Sequence, residues 1–147
     1  MKNNNKGFSL LELLIVVAII LIIATIAIPS LLRSRQAANE SAAVANTRTL
    51  NTAQVTYLSS AAGSYGSIAG LIAEKLIDDT FDTTTRPKAG YNYTITLGSG
   101  NQDYTIDAVP ASTNTGRYGY YSTPDAVVRY STDTAYAPAG FEGKSVQ

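Results

Sequence analysis

Cysteine, histidine and tryptophan are all absent from this chain of 147 residues. Without cysteine there is no disulfide framework and no thiol chemistry. Without histidine the usual general base and the commonest metal ligand are missing, which weakens any enzymatic reading. Charge is scarce and balanced, with eleven Lys and Arg against eleven Asp and Glu. A nucleic-acid binder would gather a basic face to neutralise phosphates, so no specific nucleic acid is expected as a partner. Arg33 and Arg35 form a close basic pair, better read as a solvated or phospholipid-headgroup contact. Glycine is missing from residues 8 to 62, and Pro29 is the only proline there. At this length the chain fits one domain plus an anchor.

What is present in quantity is apolar surface near the N-terminus. Lys2 and Lys6 precede Gly7, and Phe8-Ser9-Leu10-Leu11-Glu12 opens a run from Leu13 through Ile28 that only Thr25 interrupts before Pro29. At ~1.5 Å per residue, a helix from Leu10 to Ile28 is about 28 Å long, close to the ~30 Å hydrocarbon thickness of a bilayer. The run exceeds the ~7–15 residues of an ordinary secretory h-region, and arginines follow it instead of a small-residue cleavage site. Lys2 and Lys6 favour a cytoplasmic N-terminus, while Arg33 and Arg35 oppose it.

Glu12 does not fit a purely apolar segment, because an ionised carboxylate in hydrocarbon costs roughly 2.5 kcal/mol or more even on insertion scales. One reading is a capping box, Ser9-x-x-Glu12, with the carboxylate at the positive end of the helix dipole. The other is that Glu12 neutralises a positive group on a neighbouring chain. The two are compatible.

Lys6-Gly7-Phe8-Ser9-Leu10-Leu11-Glu12, the apolar run behind it and Ala27-Ile28-Pro29 resemble the N-terminal signal of type IV pilins and type II secretion pseudopilins. That resemblance covers residues 1 to about 35 strongly and implies several roles. A prepilin peptidase would cut between Gly7 and Phe8 and N-methylate Phe8. Glu12 would be the assembly glutamate, pairing with the Phe8 amine of a neighbouring subunit. Pro29 would kink the helix, and in that family the loosening becomes local melting inside the filament. Many pilins place a glycine where this chain has Leu21, and many close a C-terminal loop with a disulfide that this chain cannot form. The implied partners are copies of the chain in a helical homopolymer, the prepilin peptidase, an inner-membrane assembly platform and the membrane before assembly. No cofactor, metal or catalytic residue is implied. The implied location is the inner membrane as a single-pass precursor, then a pilus on the cell surface.

Beyond Pro29, alanine-rich sequence predicts a helix continuing to roughly Ser60. Ala38, Ala42, Ala45, Thr49, Ala53 and Tyr57 share a face by spacing, and a sheet is expected to cover Leu50, Val55 and Leu58. Residues 68 to 77 suggest a short helix capped by Ser67 and ended by Asp78-Asp79. Thr83 to Pro87 reads as loop. Asp78, Asp79 and Asp82 lack the glycine-centred loop and terminal glutamate of a calcium site, so a solvated acidic turn is the better reading.

Alternation of Tyr91, Tyr93, Ile95 and Leu97, then of Tyr104, Ile106 and Ala108, across Gly98-Ser99-Gly100-Asn101 predicts an antiparallel hairpin. A second hairpin is expected from Gly116 to Ser122 and Ala126 to Ser131 around Thr123-Pro124-Asp125. The Ala137-Pro138-Ala139-Gly140 tail reads as loop. Ten tyrosines invite a stacking or electron-transfer reading, but aromatics are favoured strand residues, expected half-buried with the hydroxyl at the rim.

The expected fold is therefore α+β, the pilin ladle: a long N-terminal helix on a four-stranded antiparallel sheet. Its parts are a leader (1–7), an apolar transmembrane and filament-core helix (8–29), an amphipathic half-helix (30–62) and a globular head (63–147). The resemblance implies a structural subunit of a type IV pilus, a major pilin, with a pseudopilin of a type II secretion system as the near alternative. A single-pass anchored binding or enzymatic domain is a third reading, for which the head offers no nucleophile-base set, phosphate loop or metal cluster.

Overall fold

A computed structural model of the chain describes residues 7–60, 63–131 and 143–146. The leader residues before Gly7 and the Ala137–Gly140 tail lie outside the described residues. The chain divides into two compact units, Met1–Ser34 and Arg35–Gln147.

Helix α1 spans Leu10–Ser60, with Pro29 inside it. In its N-terminal part, isoleucine and valine are poor helix formers in water. Where the surroundings are apolar, however, a helix is the form in which a single segment satisfies its own backbone. In its C-terminal part, Ala, Arg, Gln and Leu favour the helix intrinsically.

The face of α1 that packs in the second unit differs from the one that small-residue spacing suggests. Glu40, Ala43, Thr47, Leu50, Asn51, Ala53 and Gln54 are buried, whereas Ala38, Ala45 and Thr49 are exposed. Leu50 is covered as expected, Leu58 is half-buried, and Val55 stays 57% exposed. The buried face carries four polar side chains because each has a partner waiting. Gln54 donates from Nε2 to the Gly66 carbonyl at 2.6 Å and accepts the Gly66 N–H at 2.9 Å. The Thr47 hydroxyl donates to the Ala43 carbonyl at 2.9 Å. Asn51 donates to the Ser122 hydroxyl at 2.9 Å and accepts from the Tyr104 hydroxyl at 3.0 Å. Glu40 meets Arg117.

Opposite this face lies a sheet that has, among the described residues, five strands rather than four, in the order β1-β2-β3-β4-β5 with every neighbour antiparallel. The strands are β1 Tyr91–Leu97, β2 Tyr104–Pro110, β3 Tyr120–Ser122, β4 Arg129–Tyr130 and β5 Lys144–Ser145. The first hairpin forms as expected, and its register places Leu97 opposite Tyr104 and Tyr91 opposite Pro110. The second is shorter than the sequence suggests. Residues 116–118 lie outside the strands, with Arg117 bonded to Glu40 of α1, and the Asp125 carboxylate takes the Val127 N–H at 3.0 Å, keeping 126 and 127 in the turn. Strand β5 is two exposed residues without strand-forming side chains, held by backbone pairing such as the Val146 N–H to the Val128 carbonyl at 2.8 Å. Only the fold reveals such a strand.

Helix α2 covers Ile68–Ala73, four residues less than the pattern suggests, with Ser67 as its N-cap accepting the Gly70 N–H. It ends early because Lys75 adopts a left-handed conformation at φ 57°, letting the Leu76 N–H reach back to the Leu71 carbonyl at 3.0 Å. The aspartates after it are engaged locally. Asp78 caps the Thr80 N–H and pairs with Lys88 at 3.0 Å, while Asp82 caps the Thr84 N–H at 3.2 Å.

The tyrosines sit deeper than strand rims. Tyr91, Tyr93, Tyr104, Tyr120 and Tyr121 are buried. Tyr91 donates to the Tyr118 carbonyl, Tyr104 to Asn51, and Tyr93 accepts from Asn46 at 3.0 Å. Burial holds the Tyr93 and Tyr104 hydroxyls up at about 12. They stay neutral donors and acceptors across the physiological range.

Asn51 thus joins β2 and β3 to the helix through one amide. Asn51→Ala should cost about 1–3 kcal/mol by leaving the buried Tyr104 hydroxyl without its acceptor and the Ser122 oxygen, which still donates to the Val127 carbonyl, without the Asn51 donor. Urea unfolding of the chain in detergent micelles would measure it, and an unchanged midpoint would refute the linchpin role.

Candidate functional site

The first unit is distinguished by the apolar surface it leaves uncovered. From Leu10 to Ile28 the large side chains are exposed, from 80% at Leu10 to 46% at Val16 and Val17. The best 18-residue window has a mean hydropathy of 3.1 with none of it buried. Each such side chain is worth about 1.5–3 kcal/mol on full burial. Left in water, the helix forfeits that sum many times over, so lipid or other apolar helices must cover it. The helix is long and apolar enough to cross a membrane.

Polar groups within the segment are turned inward on the backbone. The Thr25 hydroxyl donates to the Ile22 carbonyl at 2.7 Å. At the start of the helix, Glu12 Oε2 accepts the Ser9 N–H at 3.0 Å, and the Leu13 N–H bonds the Ser9 carbonyl at 3.2 Å. This is the glutamate arm of a capping box, satisfying a donor that the helix start would otherwise orphan. The same carboxylate keeps acceptor capacity for a second, charged partner.

Of the sequence-predicted residues, Gly7, Phe8 and Glu12 lie together at this end, with Gly7 open and Phe8 73% exposed. Pro29 lies inside α1, about 25 Å along the helix from Glu12 at 1.5 Å per residue. Having no N–H, it leaves the Thr25 carbonyl without its helical donor.

Sequence reasoning missed a second polar constellation, in the other unit. Glu40 is 7% exposed, and its Oε1 accepts the Arg117 backbone N–H at 2.9 Å and Nε–H at 3.0 Å, while Oε2 accepts the Arg117 guanidinium Nη2–H at 2.8 Å. Burial disfavours the charged form, but the side-chain and backbone bonds from Arg117 outweigh it and hold the carboxyl below the usual glutamate range. The available signal was a lone carboxylate on an alanine-rich helix face, three residues before Ala43. Among the described residues, no group of three or more His, Asp or Glu side chains is placed to hold a metal.

Comparison with known proteins bears on the N-terminal segment. Residues 2–28 match the family model described as the prokaryotic N-terminal methylation motif. The match is confined to this N-terminal segment. A type IV major pilin protein, PilA, of Myxococcus xanthus is 47% identical over 55 residues, 37% of this chain and 25% of that protein. A type IV wide pilus major component, PilA4, of Thermus thermophilus is 55% identical over 42 residues, 29% of this chain and 32% of that protein. The matched segment thus spans about a quarter to a third of these curated relatives. No solved structure matches the chain significantly. The family-model match falls on the segment whose apolar surface lies uncovered.

If lipid is one of the two surroundings for this helix, a charge at its centre will oppose insertion. Ile20→Arg should lower insertion by about 2.5–3.5 kcal/mol on the translocon scale. Alkaline extraction of membranes would show the variant released while the parent chain stays bound, and equal retention would count against a spanning helix.

Proposed function

We propose that this protein is the structural subunit of a type IV pilus, a major pilin, that polymerises through α1 into an extracellular filament. The observation that carries the reading is an uncovered apolar helix with a single carboxylate at its N-terminal end. In a bilayer that helix is solvated by lipid. In a filament it exchanges lipid for copies of itself, and apolar burial at about 25 cal/mol per Å² supplies cohesion without covalent links. Both relatives are named as major pilus components, which favours a pilin over a type II secretion pseudopilin.

In this proposal residues 1–7 are the leader. The prepilin peptidase cuts the peptide bond between Gly7 and Phe8 and methylates the new amine. The precursor waits in the inner membrane with residues 63–147 outside, until an assembly platform withdraws it. Residues 8–29 form the filament core and 30–62 join it to the head. Glu12 sets the register by receiving the Phe8 amine of the next subunit, because a paired charge is tolerated in an apolar core and an unpaired one is not. Its bond to the Ser9 N–H leaves that role open, since a carboxylate accepts several donors. At Pro29 the missing helical bond is where the helix kinks or loosens.

Two measurements test this. Mass spectrometry of the N-terminal peptide should give a methylated Phe8, and a peptide retaining residues 1–7 in sheared filaments would reject the processing. Glu12→Ala should leave that processing intact yet weaken each subunit contact by about 3–5 kcal/mol, removing most surface filaments. Normal filament yield from the variant would reject the pairing.

A further inference from the structure

Between β2 and β3 the chain leaves the sheet and runs along α1. Three consecutive attachments hold it there. Gln36 Nε2 donates to the Thr113 carbonyl at 2.8 Å, Asn39 Nδ2 donates to the Thr115 carbonyl at 2.9 Å, and Glu40 accepts the Arg117 N–H at 2.9 Å. Helix positions i, i+3 and i+4 therefore take alternate residues of the segment. Side chains at that spacing lie on one helical face. The segment cannot slide without breaking all three.

Its own shape is fixed as well. The Thr115 hydroxyl donates to the Ser112 carbonyl at 2.8 Å and accepts the Ser112 N–H at 3.0 Å, closing a turn. On the sheet side, the Ala111 N–H bonds the Gly90 carbonyl at 2.9 Å, and the Tyr91 hydroxyl bonds the Tyr118 carbonyl at 2.9 Å. The approach is close enough to require glycine twice. A Cβ on Gly116 would lie 2.1 Å from the Tyr91 hydroxyl, and one on Gly90 would lie 2.8 Å from Asn39 Nδ2 and 2.9 Å from Thr115 Cβ. The segment is thus bolted to the sheet at both ends and to the helix in between.

We infer that residues 112–117 are a strap that fixes where the rigid part of α1 begins. From Gln36 onward the helix is locked to the sheet. Before it, residues 7–34 are exposed except for half-buried Ala24, and among the described residues their hydrogen bonds are local ones along the helix, with one helical bond missing at Pro29. Under axial load the N-terminal stretch can lose helical bonds while the strap stops the loss at Gln36. The use of this device in a loaded filament rests on the pilus reading. The strap itself does not, and it is testable in the isolated chain.

Hydrogen exchange of the full mature chain in detergent micelles, read by mass spectrometry, tests it. Amides of residues 36–46 should exchange at least tenfold more slowly than those of 29–35. In the double variant Asn39→Ala, Arg117→Gln, amides of 36–43 should speed up about tenfold while those of 47–58 keep their rates. Equal rates on the two sides of Gln36 in the parent chain, or unchanged rates in the double variant, would overturn the inference. Should the double variant lose protection at 47–58 too, Gln36→Ala decides. A twofold or greater acceleration confined to 36–40 supports the strap, and no change overturns it. None of these outcomes depends on filaments forming.

Discussion

Everything in this protein turns on the conflict between one helix and water. The N-terminal half of α1 presents a sleeve of leucine, isoleucine and valine that no part of its own unit covers. Such a surface is tolerable in lipid or against its like, and nowhere else for long. The polar groups within the sleeve are placed to suit such surroundings. The only carboxylate within it sits in the first helical turn, where the helix dipole and the Ser9 N–H make it least costly. Thr25 folds its hydroxyl onto the backbone.

The other half of the same helix solves the opposite problem, which is to hold firmly to a sheet with few large apolar side chains. It does so with amides and one carboxylate. Asn46, Asn51, Gln54 and Glu40 each reach a specific partner across the interface, and no buried side-chain polar atom is left without one among the described residues. Polar contacts of this kind add modestly to stability but penalise every misaligned alternative, because a displaced partner leaves a buried group unsatisfied. Glu40 illustrates the electrostatic side. Its depressed pKa means that its contribution is present above the ordinary glutamate range and fades as pH falls through the folded value.

Legibility from sequence followed the physics of each element. The apolar run, the N-terminal signal and the first hairpin depend on local patterns, and each was readable where it stands. The α1 burial face was not, because periodicity was sought among small residues while the buried stripe mixes Leu50 with Asn51 and Gln54. Strand β5 is two residues whose side chains contribute nothing to the pairing. Strand propensity puts tyrosine hydroxyls at a rim, yet for Tyr91, Tyr93 and Tyr104 helix amides and a main-chain carbonyl meet them inside. The Glu40–Arg117 pair spans 77 positions. No local signal reports a contact over that distance.

The attachments at Gln36, Asn39 and Glu40 also bear on how such proteins are recombined. The sheet recognises its helix by named polar groups, so a foreign helix grafted at Pro29 would bring the correct residues with the sheet, whereas one grafted at residue 50 would bring mismatched ones. A transplantable module of this protein therefore starts at Arg35, and its natural seam lies in the exposed stretch between the proline and the first glutamine.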